Sequence, residues 1–135
     1  MVFVNSQGPL PYTDFAFPDT CNTPVGPAIV PLPYPSFGLG PTAVPSQMKV
    51  LAMCMPAHNM ATVKPITNGD NTGVALGLLS GMVMGPGASM AGSTVLLVGG
   101  PPATKMAMPT KQNGVGPNAF GMTLSPSQVK LMALR

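Results

Sequence analysis

Apolar residues along this chain come in short runs that proline or glycine interrupts every few positions. Residues 47–53 (QMKVLAM) predict a strand, and a proline-rich turn and a further extended piece follow up to residue 69. Residues 94–114 repeat this plan, with the apolar run LLV placed ahead of Gly-Gly-Pro-Pro. We therefore expect short β-strands, each folded back sharply by the breakers that follow it.

The two segments are repeats of one unit. Aligning Pro56-Ala57 with Pro102-Ala103 places Val50-Leu51 on Leu96-Leu97, and each repeat later closes with Asn-Gly. A further similarity relates residues 44–53 (VPSQMKVLAM) to residues 125–134 (SPSQVKLMAL), and the same unit explains it. The sequence therefore predicts stacked copies of a strand–turn–strand unit.

Residues 1–46 have a different character, because they are rich in proline and aromatic residues. Proline lacks the backbone N–H that a central strand or a helix needs. We expect an extended, polyproline-like segment with turns, laid over a surface and contributing no central strand.

A glycine stripe lies between the repeats, with Gly73, Gly77, Gly81 and Gly85 spaced by four. On a short helix over 72–85, begun by Asp70 or Asn71, these glycines would share one face. One alternative is a small membrane-interacting or toxin-like protein that inserts through residues 73–92. The other two interpretations are a soluble helix packed closely on a sheet or a partner, and a segment that is not helical. The length of the segment argues against membrane insertion, because a membrane-spanning helix needs about 20 apolar residues.

Composition favours one folded domain over 1–135, with no room for a fused effector. The chain has 135 residues, of which 45% are hydrophobic and only 7% charged, the reverse of a disordered chain. A surface this poor in charge predicts that another protein covers much of it. The net charge of +3 is scattered and there is no tryptophan, which argues against nucleic-acid binding.

The inventory of reactive side chains is small: one histidine, three aspartates and no glutamate. No nucleophile motif or phosphate-binding loop is present, so we expect no enzyme activity. Cys54 and His58 are four residues apart, and with Cys21 they are candidate zinc ligands. The fourth ligand stays open between Asp19, Asp70, water and a partner's residue. The other interpretation is two small buried thiols and a histidine in a turn.

The opening segment FPDTCNTPVGPAIVPLPYP (17–35) resembles the start of PAAR-like proteins, the proteins of the Pro-Ala-Ala-Arg repeat. GDNTGVALGLLSG (69–81) is similar to that family's Gly-Asp stretch, and Pro56–Asn59 and Pro102–Lys105 keep the Pro-Ala half of its turn motif. The resemblance implies a mainly β fold: a small cone of β-hairpins with approximate threefold internal symmetry.

The resemblance also implies a function. Such a cone caps a trimeric valine–glycine-repeat spike, one tip per trimer, and leads a contractile injection machine such as type VI secretion through the target membrane. It can carry effector proteins as cargo. The protein would be made in the bacterial cytoplasm without a signal peptide and delivered outward. The family's tips commonly hold zinc through three histidines and one cysteine, and a chain with one histidine cannot supply that set.

Overall fold

The computed structural model describes residues 1–134, and the chain there forms short antiparallel strands, which confirms a mainly β fold. The strands are β1 (Val2–Phe3), β2 (Thr13–Val25), β3 (Ala28–Leu39), β4 (Leu51–Ala52), β5 (Met55–Pro56), β6 (Val63–Lys64), β7 (Gly87–Ser89), β8 (Pro109–Gln112), β9 (Ala119–Thr123) and β10 (Met132–Ala133). Among these residues the helical content is a single 3₁₀ turn at Gly40–Thr42. Arg135 lies outside the described residues.

Six strands form one antiparallel sheet in the order β3-β2-β9-β8-β7-β6. Isolated bridges from Phe37 to Asn68 and from Val44 to Val63 join the β3 side of this sheet to the β6 side. The sheet thus closes into a ring of three hairpins, β2–β3, β6–β7 and β8–β9. Closure leaves few unpaired sheet edges, which lowers the risk of edge-to-edge association.

The proline-rich N-terminal segment forms the longest hairpin, paired from Thr13 opposite Leu39 to Val25 opposite Ala28. The expectation that it contains no central strand was wrong, because β2 lies between β3 and β9. Pro18 falls where the register shifts between Ala16 and Asp19, so a bulge accommodates it.

The spacing of the prolines in β3 keeps their nitrogens out of the hydrogen bonds between β3 and β2. Pro31, Pro33 and Pro35 alternate along the strand, so their nitrogens all face the edge away from β2. Phe37 continues that parity, and its N–H donates to the Asn68 carbonyl at 2.7 Å rather than to β2. Prolines at every second position are therefore compatible with a strand that is paired along one edge.

Two small hairpins turn through residues with positive φ. Met53 and Cys54 have φ of 51° and 65° between β4 and β5. Gly99 and Gly100 have φ of 67° and 111° between Leu97 and its bridge partner Pro102. These tight hairpins fold each repeat back, as the breakers predict.

Residues 70–86 form turns and bends, so the predicted helix over 72–85 is wrong. Leu76, Gly81 and Met84 have φ of 76°, 62° and 53°, which a right-handed helix does not allow. The segment instead runs beside β2, where Gly77 bridges Cys21 and the Leu78 N–H donates to the Thr20 carbonyl. Gly73, Gly77 and Gly85 are each needed for a close contact, and Gly81 for its positive φ, so the four-residue spacing does not mark one face of a helix.

Candidate functional site

Three small hairpins repeat the same backbone hydrogen bond around one axis. The donors are the N–H groups of Ala57, Ala103 and Val4, and the acceptors are the carbonyls of Val50, Leu96 and Leu131, at 2.9, 2.9 and 3.0 Å respectively. The sequence alignment of the repeats places the three acceptors on one another and Ala57 on Ala103, but it does not include Val4. The third hairpin is β1 with β10, so the two chain termini complete it together.

A closed cycle of hydrogen bonds links the residues that follow those donors. The His58 N–H donates to Asn5 at 2.8 Å, the Asn5 N–H to Thr104 at 2.8 Å, and the Thr104 N–H to His58 at 3.1 Å. Each acceptor is a backbone carbonyl, and the cycle returns to its first residue. One chain thus carries approximate threefold symmetry in its backbone.

Side chains ahead of the hairpins follow the same symmetry. Gln47 accepts from the N–H groups two and three residues later, and Ser93 and Gln128 do the same in their own repeats. The buried apolar cluster consists of two such sets of three: Val4, Ala57 and Ala103, and Ala52, Val98 and Ala133. Small side chains suit this place because three strands converge there.

The opposite face of each hairpin carries one apolar pair, and we call the three pairs the apolar base. They are Leu51 with Pro56, Leu97 with Pro102, and Met132 with Phe3. Leu51, Leu97 and Met132 are 54%, 65% and 40% exposed. Strand side chains alternate between faces, so these point away from the buried cluster. Equivalent exposed apolar positions around an axis are typical of a surface that meets a symmetric partner.

A second site lies inside the six-stranded sheet, where β2 meets the turn after β6. Asp19, Cys21 and Asp70 are fully buried, and one side-chain ligand atom of each lies within 4.8 Å of the other two. Cys21 Sγ lies 3.4 Å from Asp19 Oδ1 and 3.8 Å from Asp70 Oδ2, so its single proton can be shared between the two carboxylates. We call these three residues the Asp–Cys–Asp cluster.

Buried amides hold this cluster in place. Asn113 Nδ2 donates to Asp19 Oδ1 at 3.1 Å, and Asn118 Nδ2 donates to the same oxygen. The Met84 N–H donates to Asp70 Oδ2 at 2.9 Å. Burial and the two carboxylates raise the pKa of the Cys21 thiol to about 12, and burial raises the pKa of Asp70.

Glycines of the stripe cover the cluster. A Cβ on Gly73 would lie 2.3 Å from the Cβ of Cys21, and one on Gly85 would lie 3.0 Å from Asn113 Oδ1. Backbone can approach the cluster this closely only where no side chain intervenes. Gly73 and Gly85 thus let the backbone pack directly against Cys21 and Asn113.

His58 lies elsewhere and has both ring nitrogens occupied. Nδ1 accepts from the Tyr12 hydroxyl at 2.8 Å, and Nε2 donates to Gln7 Oε1 at 2.9 Å. The Gln7 amide nitrogen donates to the carbonyls of Pro41 and Ala43, which fixes its orientation. Burial and the charge of Lys64 lower the pKa of His58 to about 4, so the ring is neutral at pH 7.

The structure does not bring the predicted ligands Cys21, Cys54 and His58 together. Cys54 is an exposed free thiol in the β4–β5 turn, and Cys21 lies in the Asp–Cys–Asp cluster. Asp19 and Asp70, which the sequence left open as a fourth ligand, are the partners of Cys21. The supporting amides Asn113 and Asn118 were missed, because a single asparagine carries no signal before the sheet closes around it.

Comparison with known proteins identifies the family of this chain. A family model described as the toxin PAAR-like domain matches residues 6–120. The chain therefore belongs to the toxin PAAR-like domain family, as the resemblance of its opening segment predicts. No curated protein and no solved structure matches the chain. Within residues 1–134, no helix has the length and apolar character needed to cross a bilayer.

Proposed function

We propose that this protein is a non-catalytic tip that caps a trimeric valine–glycine-repeat spike of a contractile injection system of the type VI secretion class. The observation that carries the proposal is the apolar base, whose three equivalent pairs surround the hydrogen-bonded axis. A true trimer presents one surface three times, and this chain can contact all three copies from a single polypeptide.

The apolar base is the face that we assign to the spike. Its pairs are proline, leucine, phenylalanine and methionine, with no charged member, so contact with a partner removes apolar surface from water. Docking of a β-structured spike there would also cover hairpin backbone. The opposite end, with the Asp–Cys–Asp cluster and the β2–β3 hairpin, would then face the target membrane. Effector proteins are a further class of partner that this role admits.

Co-purification with a trimeric spike, read by native mass spectrometry, tests the proposal. We expect one copy of this chain per three spike chains. Leu97→Glu, in the apolar base, should abolish the complex because it places a charge at the apolar contact. Ile29→Glu is the matched control, since both side chains are 65% exposed but Ile29 lies in the β2–β3 hairpin.

Two results would overturn the proposal. A chain that forms no complex with any spike tested, while remaining folded by circular dichroism, has no capping role. Loss of the complex with Ile29→Glu but not with Leu97→Glu would place the contact at the other end of the molecule.

A further inference from the structure

Among residues 1–134, the charged side chains that reach solvent are all positive. The chain contains three aspartates and no glutamate. The buried charged side chains are Asp14, Asp19, Asp70, Lys64 and Lys105. Those that reach solvent are Lys49 and Lys130, which are exposed, and Lys111, which is partly exposed. This part of the chain therefore offers a partner cations and no exposed carboxylate side chain.

Two of these lysines lie at the margin of the apolar base. Lys49 comes two residues before Leu51, and Lys130 comes two residues before Met132. Two residues span at most about 7 Å of chain, so each ammonium lies within reach of a partner docked on the base. Neither lysine takes part in an ion pair within residues 1–134, so both ammonium groups are available to that partner.

The backbone gives these lysines equivalent positions in their repeats, and the third such position holds a valine. The N–H groups of Lys49 and Lys130 donate to a glutamine side chain two residues earlier, at 3.0 and 2.8 Å. In the remaining repeat the Val95 N–H lies 3.4 Å from Ser93 Oγ, and the Val95 side chain is 64% exposed. The margin of the apolar base thus repeats three times in its backbone but carries two cations and one valine.

On the basis of the spike-capping function, we propose that the spike face docked on the apolar base has an apolar centre surrounded by carboxylates, two of which pair with Lys49 and Lys130. Complementary charge at the edge of an apolar contact speeds association and fixes the register of docking. In a trimer each carboxylate occurs three times by symmetry, so the third one faces Val95.

Other occupants of the base fit these observations less well. A second copy of this chain would bring two lysine margins together, and like charges opposed across an interface are unfavourable. An anionic lipid surface matches the lysines, but it offers nothing equivalent to three apolar pairs around an axis. A trimeric protein face with carboxylates matches both the charge and the symmetry.

Association kinetics of the full chain with the spike that co-purifies with it test the pairing. Lys49→Glu and Lys130→Glu should each slow association at low salt, and the double variant should slow it at least about ten-fold. Lys111→Glu is the matched control, because it changes the net charge as much as either single variant but lies in β8 of the six-stranded sheet. High salt should erase the differences, because it screens exposed charges.

A gain of binding is the sharper test. Val95→Lys supplies the cation that the third repeat lacks, so it should speed association roughly three-fold or more at low salt and make the rate more sensitive to salt. Circular dichroism of each variant checks that the fold is unchanged.

The results that would overturn the pairing are distinguishable. A complex that Leu97→Glu abolishes, but whose association rate responds neither to salt nor to the lysine variants, would leave capping intact and reject the acidic face. Slower association of Val95→Lys would indicate a basic spike face. Phosphatidylserine vesicles that bind the wild type but not the double lysine variant, with spike association unchanged, would assign the lysines to lipid. Failure to form a complex with any spike would overturn both proposals.

Discussion

Two regions of the interior use different chemistry. Where the three small hairpins meet, the buried apolar side chains are alanine and valine, in two sets of three. Inside the six-stranded sheet many are polar, as with Asp14, Lys64 and Thr123, which bond to one another. Among the described residues, buried polar side chains outnumber buried apolar ones. Apolar contact is therefore concentrated where the repeats meet, and the sheet interior depends on matched charges and hydrogen bonds.

The difference shows where each region is vulnerable. Alanine at the axis tolerates a loss of volume but not a gain, because three strands leave no space. A polar interior tolerates little change of charge, because a single unmatched group costs more than the pair contributed. Four predictions test this contrast, in order of decreasing effect.

Removal of Lys64 should have the largest effect. Its ammonium pairs with Asp14, and the side chains are 4% and 1% exposed. Lys64→Met leaves a buried carboxylate without its cation and should lower the free energy of unfolding by about 3–5 kcal/mol. Urea denaturation measures this loss. Lys64→Met with Asp14→Asn should recover much of it, and a single variant as stable as wild type would show that the polar interior tolerates unpaired charge.

His58 should make stability fall in mild acid. Its folded pKa of about 4 lies below the ordinary 6.5, so the folded state favours the neutral ring. The contribution is complete above pH 6.5 and is lost as pH falls toward 4, up to about 3 kcal/mol. His58→Gln removes this titration, so the difference between the two pH profiles should change over that window. Parallel profiles would contradict the assignment.

Enlarging a buried alanine at the axis should lower stability less than either of these changes. Ala103 is fully buried in the apolar cluster, and Ala103→Leu should lower the free energy of unfolding by about 1–3 kcal/mol through overpacking. Ala28→Leu, at the exposed start of β3, is the control and should change it by less than about 0.5 kcal/mol. Equal stability of the two variants would mean that the axis contains unfilled space.

The smallest effect should be the difference in stability between alanine variants of two glycines near the polar interior, Gly77 and Gly81. A Cβ on Gly77 would lie 2.8 Å from the Met82 carbonyl oxygen, whereas Gly81 has φ of 62° and open space around it. Gly81→Ala should cost about 1 kcal/mol through backbone conformation alone. Gly77→Ala should cost more by a steric clash, read from thermal unfolding. A reversed order would show that the segment rearranges freely.

Much of the axis could be predicted from the sequence, because its repeats are local. The alignment of Val50 with Leu96 and Leu131 needs only the strand–turn–strand pattern, and the same pattern locates the turns at Cys54 and Gly100. The polar interior could not be predicted in this way. Its members come from positions 14–123, and no period relates them.

The predicted zinc ligands show the same contrast between what local sequence indicates and what long-range contacts decide. Cys54 and His58 are close in sequence, yet one lies exposed in a turn and the other is held by Tyr12 and Gln7. Asp70 is 49 residues from Cys21 and contacts it. Sequence proximity is a poor guide here, because sharp turns separate near neighbours and sheet closure joins distant residues.

The sequence by itself determined the class of fold, the repeated unit and the family, since each follows from local patterns of apolar, proline and glycine residues. Tertiary structure decided that the chain termini complete the third hairpin and that the glycine stripe is a covering turn. It also decided that Asp19, Cys21 and Asp70 share one site. The physical reason is that threefold closure is a long-range event: hydrogen bonds such as those from Asn5 to Thr104 form only after distant segments meet around the axis.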